Sequence, residues 1–150
     1  MPNRPLVIWP DQRLLKKAAS VAAISLEIHD LYVQMTHTMQ EHSALALAAP
    51  QIGRPVRMLV VEPALAGRQA DDQPVVFINP EVLWASEDTE IANEGCLSFP
   101  GIYKLMERPY RVRVRALNLD GQAFEIEGEG LLARCLLHQM DLLDGILLKR

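Results

Sequence analysis

Glu94-Gly95-Cys96-Leu97-Ser98 puts a glycine, which lets the backbone approach a neighbour closely, next to a cysteine that can offer a thiolate. Read alone, the cysteine is equally a small buried hydrophobe. Two further segments give the stretch its weight. Upstream, Ala44-Leu45-Ala46-Leu47-Ala48-Ala49-Pro50-Gln51-Ile52-Gly53 is a run of small residues closed by one carboxamide after a proline. By itself it reads as a tightly packed connection into the next strand. Downstream comes His138-Gln139-Met140-Asp141-Leu142, in a helical pattern. A lone histidine on an apolar helix is more often a hydrogen-bonded core residue than a ligand.

The flanking patterns supply a scaffold. From Ser25 to His42, Ile28, Leu31, Tyr32, Met35 and Met39 recur at the spacing of one helical face. Val56 to Val61 and Val75 to Ile78 are short β-branched runs ended by Glu62-Pro63 and Asn79-Pro80, and both read as strands. Between them Ala64 to Pro74 gathers Gly67, Asp71, Asp72 and Pro74 and reads as a loop. Arg111 to Leu117 alternates polar with apolar, Asp120-Gly121 turns the chain, and Ala123 to Ile126 returns it as a hairpin with one wet face. Glu129 to Leu143 is helical, with Glu129 expected in the first turn and Asp144-Gly145 placed to stop it. The expectation is an α+β fold forming one domain over residues 1–150.

Composition narrows the function classes. The net charge of −4 comes from interspersed acidic and basic residues, so no basic face for phosphates stands out and nucleic acid is not expected as a partner. No apolar run approaches the roughly 20 residues that span a bilayer, and the opening Met1-Pro2-Asn3-Arg4-Pro5 lacks the apolar region of a signal peptide. The expectation is a cytoplasmic protein with no membrane partner. Cys96 and Cys135 are too few for a disulfide framework.

Taken together and in this order, the three segments resemble the three signature motifs of the peptide deformylase family. The first, Gly-x-Gly-Leu-Ala-Ala-Pro-Gln, is matched from Leu47 to Gln51, with Ala44 and Ala46 in place of the glycines. The second, Glu-Gly-Cys-Leu-Ser, is matched in full by Glu94 to Ser98. The third, Gln-His-Glu-x-Asp-His, falls on Leu137 to Leu142 and keeps only His138 and Asp141 of its specified residues. The hairpin and the Gly130 to Cys135 lead-in are similar too. The resemblance implies a fold of short antiparallel strands around a C-terminal helix that carries the metal motif. It also implies an ancestral activity, removal of the formyl group from the N-terminal methionine of new proteins, with a divalent metal (Fe²⁺, Zn²⁺ or Ni²⁺). By the same resemblance Cys96, His138 and residue 142 would be the metal ligands. Gln139 would stand at the general base, and Gln51 with the backbone N–H of Leu97 would hold the oxyanion. Ala46, Leu47 and Leu137 would line the substrate pocket.

The replacements bear on the chemistry. Histidines four apart share one helix face and can grip one ion, with a thiolate as third ligand and water in the open position. Leu142 has no lone pair, so at most two of three protein ligands remain and metal binding is expected to be weak or absent. The carboxylate next to the first histidine would take a proton from the metal-bound water. Gln139 keeps its shape but cannot accept that proton near neutral pH. Three readings follow: a catalytically impaired homologue that still binds N-terminal (formyl-)methionine peptides; an active metallohydrolase using Cys96, His138 and Asp141; or a non-catalytic regulatory partner of an active paralogue. The chain ends at Leu148-Lys149-Arg150, where many bacterial relatives continue into a basic segment that docks on the ribosome, so ribosome docking is not expected.

Overall fold

Strand β2 (Met58–Val61) is buried along its whole length because its alternate side chains enter two different cores. Leu59 and Val61 join one and Met58 and Val60 the other, the period-two division of a strand covered on both faces. The computed structural model describes residues 5–148; residues 1–4 and 149–150, on which the readings of the chain's start and end partly fall, lie outside.

The sheet around β2 runs β1-β2-β3-β6-β7, every pair antiparallel, with β1 at Ala46–Ala48, β3 at Val75–Ala85, β6 at Arg111–Leu117 and β7 at Ala123–Glu129. Helix α1 (Leu26–Glu41) covers one face, setting Ile28, Leu31, Met35 and Met39 against Leu47, Met58, Val60, Val76 and Ile78. Helix α2 (Leu131–Leu143) covers the other, packing Leu136, Met140, Leu142 and Leu143 with Leu59, Val61, Phe77, Val112, Val114 and Ala116. Arg111, Arg113 and Arg115 stay exposed, which is the wet face read from the alternation. Strands β4 (Thr89–Cys96) and β5 (Phe99–Pro109) pair with each other as a second, two-stranded sheet. Among the described residues no helix is long and apolar enough to cross a membrane.

Three expectations are corrected. Asn79-Pro80 does not end β3: the pairing with β6 shifts register between Ile78 and Glu81 and then resumes, so a bulge absorbs the proline and the positive φ of Asn79. The Asn79 side chain instead clamps the N-terminal segment, its Oδ1 accepting from Val21 N at 2.8 Å and its Nδ2 donating to Val21 O at 3.0 Å. Second, β2 starts at Met58, because Val56 bridges to Ala19 outside the sheet. Third, Glu129 is not in the helix. It closes β7 opposite Arg111, and Gly130, at φ +59°, turns the chain into α2.

The far end of α2 is held by the N-terminal segment. Arg57 pairs with Asp144 at 2.9 Å and donates to Leu143 O at 3.1 Å, which Ala18 N also reaches at 2.8 Å. Gly145 then turns at φ +73° so close to Leu15 that an added Cβ would lie 2.5 Å from its carbonyl oxygen. Gly145→Ala combines backbone strain with that clash and should cost about 1–3 kcal/mol. For a chain of this size we expect Tm to fall by roughly 2–12 °C; an unchanged melt would show that this turn does not constrain the fold.

Candidate active site

Gly95 stands opposite Tyr103 where β4 pairs with β5, and a Cβ there would lie 2.6 Å from the Tyr103 ring, so a larger residue would require that exposed ring to swing aside. The pairing shifts between Gly95 and Cys96, which turns the thiol into a cavity of about 870 Å³. Gln51, from the 3-10 turn Ala49–Ile52 that follows β1, shares this wall with Ala44, Ala46, Cys96 and Leu97. Arg134, Cys135, His138 and Gln139 of α2 form the opposite side. The three motifs therefore meet in one place.

The Gln51 carboxamide is fixed at both ends. Its Oε1 accepts from Ala48 N at 2.9 Å, while Nε2 donates to Ser98 Oγ at 3.2 Å and to Cys96 Sγ at 3.5 Å. The Gln51 amide nitrogen, assigned by resemblance to an oxyanion, is thus engaged within the protein. Leu47 and Leu137, expected in the substrate pocket, are not on the cavity wall. Leu47 alternates with Ala46 along β1 and so points into the core under α1, and Leu137 packs against the α2 core. Leu142 is 1% exposed and belongs to that same core.

Under the cavity lies a cluster of buried charges that the sequence reading overlooked. Glu94 accepts from Arg108 Nε and Nη2, both at 2.7 Å, and from Arg134 Nη1 at 2.7 Å. Arg108 Nη1 donates to Asp141 at 2.7 Å, and Arg134 donates to Met106 O at 2.9 Å and Glu90 O at 2.6 Å. The core of the cluster, Glu94 and Asp141 with Arg108 and Arg134, balances two carboxylates against two guanidiniums. Burial pushes the Glu94 carboxyl up, yet the Arg108 hydrogen bonds and charge, with His138 and Arg134, outweigh it and hold the group below its usual range. One signal was available: Arg134 stands four residues before His138 in an otherwise apolar helix run. Arg108 gave none, since β5 was not recognised as a strand.

His138 turns Nδ1 toward Glu94 Oε1 at 3.6 Å, and its Nε2 is buried with no hydrogen-bond partner among the described residues. Gln139 Oε1 is likewise buried and unpaired there. Burial lowers the His138 pKa, only partly opposed by Glu94, so the ring is held toward its neutral form. Cys96 and Cys135 are free thiols, each pushed up to about 11 by burial.

A free imidazole nitrogen and a nearby thiol are two donors of the right kind for a divalent metal. The third position holds a leucine, and Asp141 is committed to Arg108. Among the described residues no three His, Cys, Asp or Glu side chains stand close enough together to hold an ion. The residues present do not fit the three-ligand site that the motif spacing implies.

An antiparallel α+β fold thus brings thiol, imidazole and carboxamide to one cavity beside α2. The profile of the family described as polypeptide deformylase matches residues 3–150, and the chain belongs to that family. The chain is 43% identical to a peptide deformylase of Acinetobacter baumannii (strain SDF) over 94% of its own length and 78% of that protein. It superposes on a peptide deformylase of Legionella pneumophila with TM-score 0.90 and 37% identity, covering 97% of this chain and 83% of that one. A peptide deformylase of Synechococcus elongatus, solved in complex with actinonin, gives TM-score 0.88 and 36% identity over 98% of this chain and 77% of that one.

Proposed function

We propose that this chain is a deformylase-family protein, one domain over residues 1–150, whose cavity still takes an N-terminal peptide but whose hydrolytic step is impaired. The observation that carries the reading is Leu142, buried in the core one helical turn beyond His138, where a third ligand would have to stand. Gln139 compounds the loss, since a positioned general base contributes about 10²–10⁴-fold in rate. The family chemistry, metal-assisted removal of a formyl group from a methionyl N-terminus, is the reaction whose machinery is depleted here. The relatives bearing the deformylase name mark that ancestry. Such a protein would work in the cytoplasm, as a peptide-binding or regulatory partner of an active paralogue, without nucleic acid.

The alternative, an active hydrolase using Cys96, His138 and Asp141, would have to break the 2.7 Å contact between Asp141 and Arg108 and leave a buried guanidinium short of a partner. Metal analysis of protein purified without chelator tests the reading. We expect well under one ion per chain, because two ligands rarely hold a labile divalent ion against buffer. One tightly held ion per chain would favour the alternative.

A further inference from the structure

The hairpin of β4 and β5 buries one face and leaves the other bare. From the buried face Glu94 and Arg108 enter the charged cluster against α2. The opposite face carries three cross-strand rows, Ile91 beside Glu107, Asn93 beside Leu105 and Gly95 beside Tyr103, because positions two apart on a strand share a side and paired residues stand together. All six residues are exposed. Ile91, Leu105 and Tyr103, at 64%, 66% and 72% exposure, lie in adjacent rows and form one apolar stripe, the kind of surface that marks a contact with another molecule. The one carboxylate on the face, Glu107, stands at one end of the stripe and accepts from Thr89 Oγ1 at 2.6 Å.

We propose that this face docks on the same face of a second copy of the chain, with a two-fold axis across the strands over the row of Asn93 and Leu105. Two stacked hairpins related by a two-fold axis have two simple arrangements. With the axis along the strands, each row meets itself with β4 over β5, so Glu107 would lie on Ile91 and Asn93 on Leu105 of the second copy. Pressing a carboxylate and a carboxamide against aliphatic side chains is costly. With the axis across the strands, β5 lies over β5 and the order of the rows is reversed. Leu105 then meets Leu105, and Asn93 meets Asn93, a carboxamide that is both donor and acceptor. Glu107 comes over Tyr103, whose hydroxyl can donate to the carboxylate. Ile91 comes over Gly95, where the Tyr103 ring fills the space a side chain would take. Every position finds its complement on another copy of the same face, and this self-complementarity commits the occupant to a second copy. Asn93, Gly95 and Tyr103 also border the cavity, so the dimer sets each cavity mouth beside the interface.

A face two strands wide and roughly 20 Å long buries less than the about 800 Å² per partner of a tight complex, so the expected dimer is weak, with Kd on the order of 10–100 µM. Sedimentation equilibrium of the full chain, from about tenfold below to tenfold above that range, tests this. The mean mass should rise with concentration from 16.8 kDa toward twice that value. Leu105→Glu puts two carboxylates on the axis, and Leu105→Lys two ammoniums, so each variant alone should associate at least about tenfold more weakly. An equimolar mixture of the two variants should regain the dimer, because across this axis position 105 meets itself with opposite charges. Leu105 is exposed, so both variants should melt like the unaltered chain, which separates lost association from lost folding. A single-chain mass at every concentration would overturn the proposal and leave the face to a different protein. A dimer that survives both substitutions, or a mixture that stays monomeric, would overturn it as well.

Discussion

Substituting both Gln139→Glu and Leu142→His should restore formyl-peptide turnover that neither change restores alone. Residue 142 lies one helical turn beyond His138, so a histidine there recreates the i, i+4 pair and with Cys96 a three-ligand set. Alone, Leu142→His puts an imidazole into a core position that is 1% exposed, and should lower Tm without metal. Zn²⁺ or Ni²⁺ should recover it, by about 2.7 kcal/mol when free metal is a hundred times its Kd. Turnover should stay poor for want of a base. Gln139→Glu alone should do almost nothing, because without the metal there is no acidified water to deprotonate. Adding it to Leu142→His should raise the rate about 10²–10⁴-fold. Metal content and turnover in all four proteins form the cycle, and additive effects would contradict this account. If the double variant binds metal and stays inert, Ala44 and Ala46, whose methyl groups stand on the cavity wall in place of glycines, are the next suspects.

The largest loss of stability is expected from Glu94→Gln. Its carboxylate, 4% exposed at the side chain, neutralises Arg108 and Arg134, themselves 9% and 8% exposed. Removing one partner of a buried ion pair typically costs about 3–5 kcal/mol because the other charge is left uncompensated. For a chain of this size that is a fall in Tm of roughly 6–20 °C. Glu127→Gln is the control: Glu127 faces Arg113 at 3.7 Å with both side chains about half exposed, and such pairs contribute about 0–1 kcal/mol. Equal melts for the two variants would mean that the buried cluster is no stronger than a surface pair.

The elements that were legible in the sequence are those whose period is uninterrupted. Ile28 to Met39 show one helical face because α1 meets the sheet along a single stripe, and Arg111 to Leu117 alternate because β6 is covered on one side only. Strands β4 and β5 escaped the same reading. Their sheet has only two strands and leaves Ile91, Tyr103 and Leu105 exposed, so burial imposes no alternation on them. The continuation of β3 through Asn79-Pro80 depends on a bulge held from the other side by Val21, a tertiary contact that local propensity does not carry.

In the site, the meeting of Gln51, Cys96 and His138 was readable from the order of three motifs, each weak alone. That Ala46 lines the cavity and Leu47 does not turns on which side of a three-residue strand faces it, and this was not legible because neighbouring alanine and leucine are both apolar. The Glu94 cluster was hidden for a different reason. Its members lie on β4, β5 and α2, up to 47 positions apart from Glu94 to Asp141, and become partners only when the hairpin packs against the helix.

The most direct test of the central claim is the rate at which the unaltered chain hydrolyses a formyl-methionyl peptide with Ni²⁺ or Zn²⁺ in excess, beside the Acinetobacter baumannii relative under the same conditions. With a leucine in place of the third ligand and a carboxamide in place of the base, the rate should lie near background even at high metal. Turnover comparable to the relative's would contradict the assignment of Gln139 and Leu142 as the disabling residues.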